Sequence, residues 1–389
     1  MKVIDNTAAL EQFCTALAAR EFITVDLEFL REKSYYAKLC LIQVGSVSEC
    51  AIIDPLAPEI SLSPFFALMQ NPAVMKVFHS GRQDIEIIYN LSGKIPTPVF
   101  DTQVAGQVTG FGEAVSYENM VKHILHIELD KTNRLSDWSC RPLKEDQLEY
   151  ALADVTHLVH IYEYLRGQLQ KNGRGSWLEE EMQQLCSPQT YTVNPMDAWQ
   201  RIKHRSHNAR FLTILRELAA WREARSQRRN TPRQSLIKDD MLLQIAAACP
   251  ADKEELSALR NMRPEISSGK LGDEILDVLS HAVALPKSAY VTPPREKELP
   301  GLTNALYEFL KMLLKIKSQQ EGVIGRLIAA DEDLKLFARR RDAKVPFLKG
   351  WRREIFGNDA LALCRGELYL AYNPASGQID FIRKTAAEK

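Results

Sequence analysis

Ile23-Thr24-Val25-Asp26-Leu27-Glu28-Phe29 is the stretch from which the chain is best read. β-Branched residues at Ile23, Thr24 and Val25 favour a strand. In a strand, side chains two apart share a face. Asp26 and Glu28 then project together, while Val25 and Leu27 anchor the opposite face in a core. Two ionised carboxylates side by side repel and lose hydration unless a positive charge lies between them. A divalent cation that prefers oxygen ligands, Mg²⁺ or Mn²⁺, is one such neutraliser. A half-exposed edge strand with two solvated acids is the other reading. This stretch alone leaves both open.

The rest of the chain narrows the choice. With 389 residues, 45% of them hydrophobic, it can form two or three domains with real cores. It has no run of eighteen apolar residues, so no membrane span is expected. The opening MKVIDNTAALEQF lacks the apolar centre of a secretory signal. Seven scattered cysteines without a Cys-x-x-Cys pair argue against a zinc site or a disulfide framework, and fit reduced thiols in the cytoplasm. Net charge is zero, but residues 1–190 hold 16 Lys+Arg against 25 Asp+Glu, and residues 191–389 hold 34 against 25. An acidic half followed by a basic half suits a polyanionic substrate.

Around the opening stretch, residues 6–20 read as an amphipathic helix capped by Asn6. Tyr36–Val44 and Cys50–Ile53 read as strands joined by a turn, Val74–Phe78 and Val99-Phe100 as further strands, and Asp101 as the cap of the next helix. Helices are expected at 82–91, 116–126 and 145–169, with a polar loop from Leu129 to Leu143 before the last. The fold class expected for this half is α/β with a mixed sheet. From Asn208 the strand signals vanish. Helices follow at 208–228, 239–248, 252–260 and 271–284, then a Pro- and charge-rich linker, then helices between 302 and 364. The tail alternates apolar and polar residues around Asn373-Pro374-Ala375-Ser376-Gly377, which predicts a β-hairpin. The division expected is 1–185 catalytic, 186–205 connector, 206–286 and 302–365 helical domains joined by a linker at 287–301, and a hairpin and tail at 366–389.

On the long helix at 145–169, Tyr150 and Asp154 are four apart and share a face. Asp154 lies among apolar residues, where an acid needs a partner or a metal. Asp84 follows a strand end, where sites of α/β folds gather. His157 and His160 lie beyond Asp154 and read as core or surface residues. His79 reads as a turn residue or a substrate contact. Lys131, Arg134 and Arg141 flank Ser136-Asp137-Trp138. Lys and Arg suit phosphates, and Trp138 reads as a packing anchor. In the helical half, Arg222, Arg225, Arg228, Arg229 and Arg233 are dense enough to form a phosphate-tracking surface, or simply a solvated face.

The order D-x-E, then D, then Y-x-x-x-D over Asp26, Glu28, Asp84, Tyr150 and Asp154 resembles the three motifs of the DEDDy 3′–5′ exonucleases. The flanking segments VDLEFLREKSYYAKLCLIQV, FHSGRQDIEIIYN, LDKTNRLSDWSCRPL and EYALADVTHL resemble the ribonuclease D family in particular. Residues 206–286 resemble an HRDC domain, a nucleic-acid-binding helical module, and 302–365 a weaker second copy. The resemblance implies an RNase H-like catalytic fold. It also implies two divalent ions, Mg²⁺ or Mn²⁺, held by Asp26, Glu28, Asp84 and Asp154, with Tyr150 acting on the attacking water. Phosphodiester hydrolysis agrees, since two metals roughly 4 Å apart neutralise both attacking and leaving oxygens. The related class with His in place of Tyr would carry it at residue 149, which is Glu149 here. The activity implied is 3′–5′ trimming of RNA to 5′-monophosphates, with tRNA precursors and other small structured RNAs as substrates, by a monomer in the cytoplasm. The alternatives are a DNA 3′–5′ exonuclease, against which the absence of a polymerase region and the HRDC-like pair argue, and a catalytically silent RNA-binding protein, which the presence of all five motif residues disfavours; a helicase lacks its G-x-x-x-x-G-K-[ST] loop.

Overall fold

A computed structural model of the chain describes residues 2–130, 136–206, 208–292 and 304–384. Lys131 and Arg134 lie outside the described residues.

The N-terminal half opens with β1 (Val3–Ile4) and α1 (Thr7–Leu17), whose first turn is capped by Asn6 Oδ1 accepting from Ala9 N at 3.0 Å. Then come β2 (Phe22–Leu30), β3 (Lys38–Gly45), β4 (Cys50–Ile53), α2 (Ser63–Met69), β5 (Met75–Phe78), α3 (Arg82–Ser92), β6 (Val99–Asp101), α4 (Thr102–Thr109), α5 (Tyr117–Leu125), α6 (Glu145–Asn172) and α7 (Gly175–Leu185). The six strands lie in the order β1-β4-β3-β2-β5-β6. β3 and β4 are antiparallel, while β1 and β4, β2 and β5, and β5 and β6 run parallel. This is the mixed sheet expected. β3 is buried along nearly its whole length, as an apolar strand covered on both faces must be.

Register places the acids. Thr24 of β2 pairs with Val77 of β5, so Asp26 stands beyond Phe78, the last residue of β5. Val25 and Leu27 are buried, and Asp26 and Glu28 alternate with them on the more open face. At the same end of the sheet α3 begins, with Asp84 in its first turn. α6 carries a buried stripe of Ala151, Val155, Leu158, Tyr162, Leu165 and Leu169, the spacing of a 3.6-residue repeat.

Later in the chain are α8 (Ala209–Arg229), α9 (Arg233–Leu236), α10 (Asp239–Ala248), α11 (Lys253–Ser257), α12 (Pro264–Ser267) and α13 (Lys270–Ala284). They enclose an apolar core that includes Leu215, Leu218, Leu242, Ile245, Ile275 and Leu279. The chain continues through α14 (Asn304–Glu321), α15 (Gly325–Ile328) and α16 (Asp331–Arg339). A last helix starts as α17 (Gly350–Arg352) and passes through a π-helical turn into α18 (Asn358–Cys364). The hairpin of β7 (Leu368–Asn373) and β8 (Gln378–Arg383) follows, where the Asn373–Gly377 turn predicts it.

By contact, the chain forms two compact units. One comprises 1–28, 41–187 and 298–389. Its core runs without a break from Phe22, Phe100 and Leu165 to Leu310, Phe337 and Phe347. Within it Trp177 of α7 stacks on Trp351 of α17 with ring centroids 4.3 Å apart, and Arg174 and Arg352 lie 4.6 Å over these two rings. The other unit comprises 29–40 and 188–297. In it the Tyr35 hydroxyl donates to the fully buried Glu223, and Tyr36 N–H donates to Asn230 Oδ1 at 2.8 Å.

Candidate active site

Two elements bring the acids together. β2 presents Asp26 and Glu28, and α6 presents Asp154. Each of the three offers a carboxylate oxygen, and these oxygens lie within 4.8 Å of one another. No histidine or cysteine joins the group among the described residues. Asp84 lies outside this set of three. It is buried at the start of α3, and its charge bears on Glu28, as that of Asp26 bears on it.

The electrostatics follow from burial and like charge. Burial pushes the Asp26 carboxyl up to about 6, while a hydrogen bond from the Leu27 N–H opposes it. Glu28 is pushed up to about 9 by burial, then by Asp26, Asp154 and Asp84. Asp154 rises to about 8 through burial and Asp26, and the Tyr150 hydroxyl hydrogen-bonded to it pulls the other way. Burial, then Asp26 and Asp101, raises Asp84 well above the usual carboxylate range. Such a cluster holds protons it would release in water unless a cation takes their place. An all-oxygen donor set of this kind fits a hard divalent ion.

The neighbours of the acids are ordered. The Trp138 ring is 2% exposed and lies 6.2 Å from the Tyr150 ring, the packing role expected of it. Asp101 is fully enclosed and does more than cap α4. Its carboxylate accepts from the N–H groups of Ser80 at 3.1 Å and Gly81 at 2.7 Å, which fixes the turn leading to Asp84. Only the capping half of that role is visible in sequence. His79 lies in this turn, with Nδ1 2.9 Å from Thr102 Oγ1 and its ring edge-on to Tyr117 at 5.4 Å. Burial pushes it down to about 4, so it is neutral at physiological pH. A cavity of about 340 Å³ opens beside Tyr150 and Asp154, walled in part by His79, Gln103 and Tyr117.

Three arginines read as phosphate contacts are otherwise engaged. Arg141 donates from Nε and Nη2 to both carboxylate oxygens of Asp54, 2.7 Å each, and from Nη1 to the carbonyls of Trp138 and Cys140 at 2.8 Å. It is a clamp for the loop before α6. Arg222 is 3% exposed and donates to the Ile237 carbonyl and to Asp239, both at 2.7 Å. Arg225 is half-buried and bonded to Glu274, which also accepts from Trp221 Nε1 at 3.0 Å. The difference has one physical reason: Arg141 and Arg222 give most of their donors to carbonyls and to partly exposed acids, and Arg225 gives Nη1 to Glu274, so in this structure these guanidinia face protein partners. Arg229 is exposed at the end of α8, where a cation also suits the helix dipole.

A family model described as a 3′-5′ exonuclease matches residues 1–170, and an HRDC domain model matches 211–279. The chain is 45% identical over 369 residues to a ribonuclease D of Granulibacter bethesdensis, covering 95% of this chain and 93% of that one. The chain belongs to the ribonuclease D family. The ribonuclease D of Nitrobacter hamburgensis is 44% identical, with 95% of this chain and 97% of that one covered. The crystal structure of Escherichia coli RNase D, described as an exoribonuclease involved in structured RNA processing, superposes with a TM-score of 0.82 at 27% identity, covering 94% of this chain and 98% of that one. As a ribonuclease D, the chain is a 3′–5′ exoribonuclease, and its acidic cluster lies inside the exonuclease span. No helix among the described residues is long and apolar enough to cross a membrane.

Proposed function

We propose that this ribonuclease D trims RNA one nucleotide at a time at a site made of Asp26, Glu28, Asp84, Tyr150 and Asp154, with the four acids holding two divalent ions, Mg²⁺ or Mn²⁺. The observation that carries the reading is the convergence of Asp26, Glu28 and Asp154 from separate elements, with their oxygens within 4.8 Å. Bound there, the ions supply charge neutralisation and a strong nucleophile at neutral pH. The protein does the rest. Tyr150, hydrogen-bonded to Asp154 and flanked by Trp138, holds its hydroxyl where an attacking water can be oriented. Its role is positioning, because a phenol of pKa near 10 is a poor bulk base. The neutral His79 adds no positive charge beside the acids.

The substrates we assign are tRNA precursors and other small structured RNAs, processed by a cytoplasmic monomer. The Escherichia coli RNase D, an exoribonuclease involved in structured RNA processing, supports this choice. The catalytic span is 1–185, and the first helical domain, 206–286, adds RNA grip through exposed cations such as Arg229. Lys131 and Arg134 remain assigned to phosphate contact on their chemistry alone. The deciding experiment compares 5′-labelled and 3′-labelled RNA with matched DNA, with and without Mg²⁺ or Mn²⁺. Expected are a descending ladder from the 5′ label, release of the mononucleotide from the 3′ label, loss of both on chelation, and inactivity of a folded Asp26→Asn protein. Full activity of Asp26→Asn, or internal cuts, would refute the assignment.

A further inference from the structure

α6 is tied down on both sides of Asp154. From β2, the fully buried Thr24, two residues before Asp26, donates through Oγ1 to the Val155 carbonyl at 2.8 Å. From α5, the Tyr117 hydroxyl donates to the Asp154 carbonyl at 2.5 Å and lies 3.2 Å from the Ala153 carbonyl. The helix comes this close to the sheet because residue 45 is glycine. A Cβ there would lie 2.7 Å from Thr24 Oγ1 and 3.2 Å from both Val155 Cβ and Val155 O.

A valine at position 24 would suit a buried strand and bring no polar group to satisfy. The hydroxyl instead links the strand carrying Asp26 and Glu28 to the turn carrying Tyr150 and Asp154. Carboxylates with oxygens within 4.8 Å repel one another across that same gap. We infer that Thr24, Gly45 and Tyr117 are positioning residues for the exonuclease reaction, setting the distance between the two halves of the acidic site against this repulsion. This rests on the reading of the acids as metal ligands.

The test uses full-length Thr24→Val, Thr24→Ser and Tyr117→Phe, with Asp154→Asn as reference. Mn²⁺ binding is measured by calorimetry without RNA, and kcat and KM are measured on a short single-stranded RNA. Thr24→Val and Tyr117→Phe are each expected to weaken Mn²⁺ binding and lower kcat by about 10-fold, with KM unchanged, because small misplacements of reacting groups are costly. Thr24→Ser, which keeps the hydroxyl, is expected to restore wild-type values. A lower melting temperature with wild-type Mn²⁺ affinity and kcat would make these residues merely structural and overturn the inference. So would a serine variant no better than valine. If Thr24→Val does not fold, Tyr117→Phe, which removes a single oxygen, decides. Asp154→Asn separates the two readings. If it binds Mn²⁺ and cleaves normally, the metal-ligand reading fails. If it is inactive while Thr24→Val and Tyr117→Phe behave as wild type, only the positioning inference fails.

Discussion

Replacing Glu28 by glutamine should abolish activity and yet stabilise the metal-free protein at alkaline pH. Glu28 is pushed from 4.5 up to about 9 by burial and three neighbouring acids. A carboxyl whose folded pKa is raised favours the folded state below its unfolded pKa, and that advantage is lost as pH climbs towards the folded value. Here the window runs from about pH 4.5 to 9. At about 1.4 kcal/mol per unit, three units between pH 4.5 and 7.5 correspond to roughly 4 kcal/mol. Solvent reaches this half-buried group, so about 2 kcal/mol is the working figure. With about 2–4 °C per kcal/mol for a domain of this size, roughly 5 °C is at stake. Asp154, at about 8, and Asp26, at about 6, act with the same sign. The assay is thermal unfolding of wild type and Glu28→Gln at pH 5, 7 and 9, in chelator and in Mg²⁺. Wild type in chelator should melt lower as pH rises, Glu28→Gln should fall less, and Mg²⁺ should help wild type most at pH 9. A wild-type melting temperature that is flat or rising over this range in chelator would refute the reasoning.

Three further outcomes are expected. Tyr150→Phe should slow single-turnover cleavage by about 10²–10³-fold, with RNA affinity kept within about two-fold, as read by rapid quench and filter binding. Arg222→Ala should destabilise its unit by roughly 2–3 kcal/mol, because it empties a buried site and takes the donor from the Ile237 carbonyl, whereas Arg229→Ala should leave the melting temperature alone and reduce the salt slope of RNA binding by about one. Trp351→Ala, which removes half of the stack with Trp177, should cost about 3–5 kcal/mol in thermal unfolding.

The unbroken core changes what a truncation can test. Leu310, Phe337 and Phe347 share one apolar cluster with Phe100 and Leu165. Deleting the chain beyond residue 205 would therefore expose core surface of the catalytic half, and a loss of RNA processing would not isolate RNA grip. Point substitutions at exposed cations avoid that ambiguity.

Sequence alone determined the elements and the chemistry they carry. Alternation around Asp26 and Glu28 marked a strand with two acids on one face, and the stripe through Ala151, Val155 and Leu158 marked the helix that presents Tyr150 and Asp154. These patterns are local, because a strand repeats every two residues and a helix every 3.6. What each charged group faces is not local. Arg141, Arg222 and Arg225 look like phosphate ligands by residue type, and only the packed structure shows them committed to Asp54, Asp239 and Glu274. The union of residues 298–389 with the exonuclease half is equally invisible in periodicity, since a helix pattern shows that one face is apolar but not what covers it. The bonds from Thr24 and Tyr117 to the turn at Asp154 join segments separated by 131 and 37 positions, respectively. Contacts at that range exist only once the sheet and α6 have closed on each other, and they set the distances on which the acidic site depends.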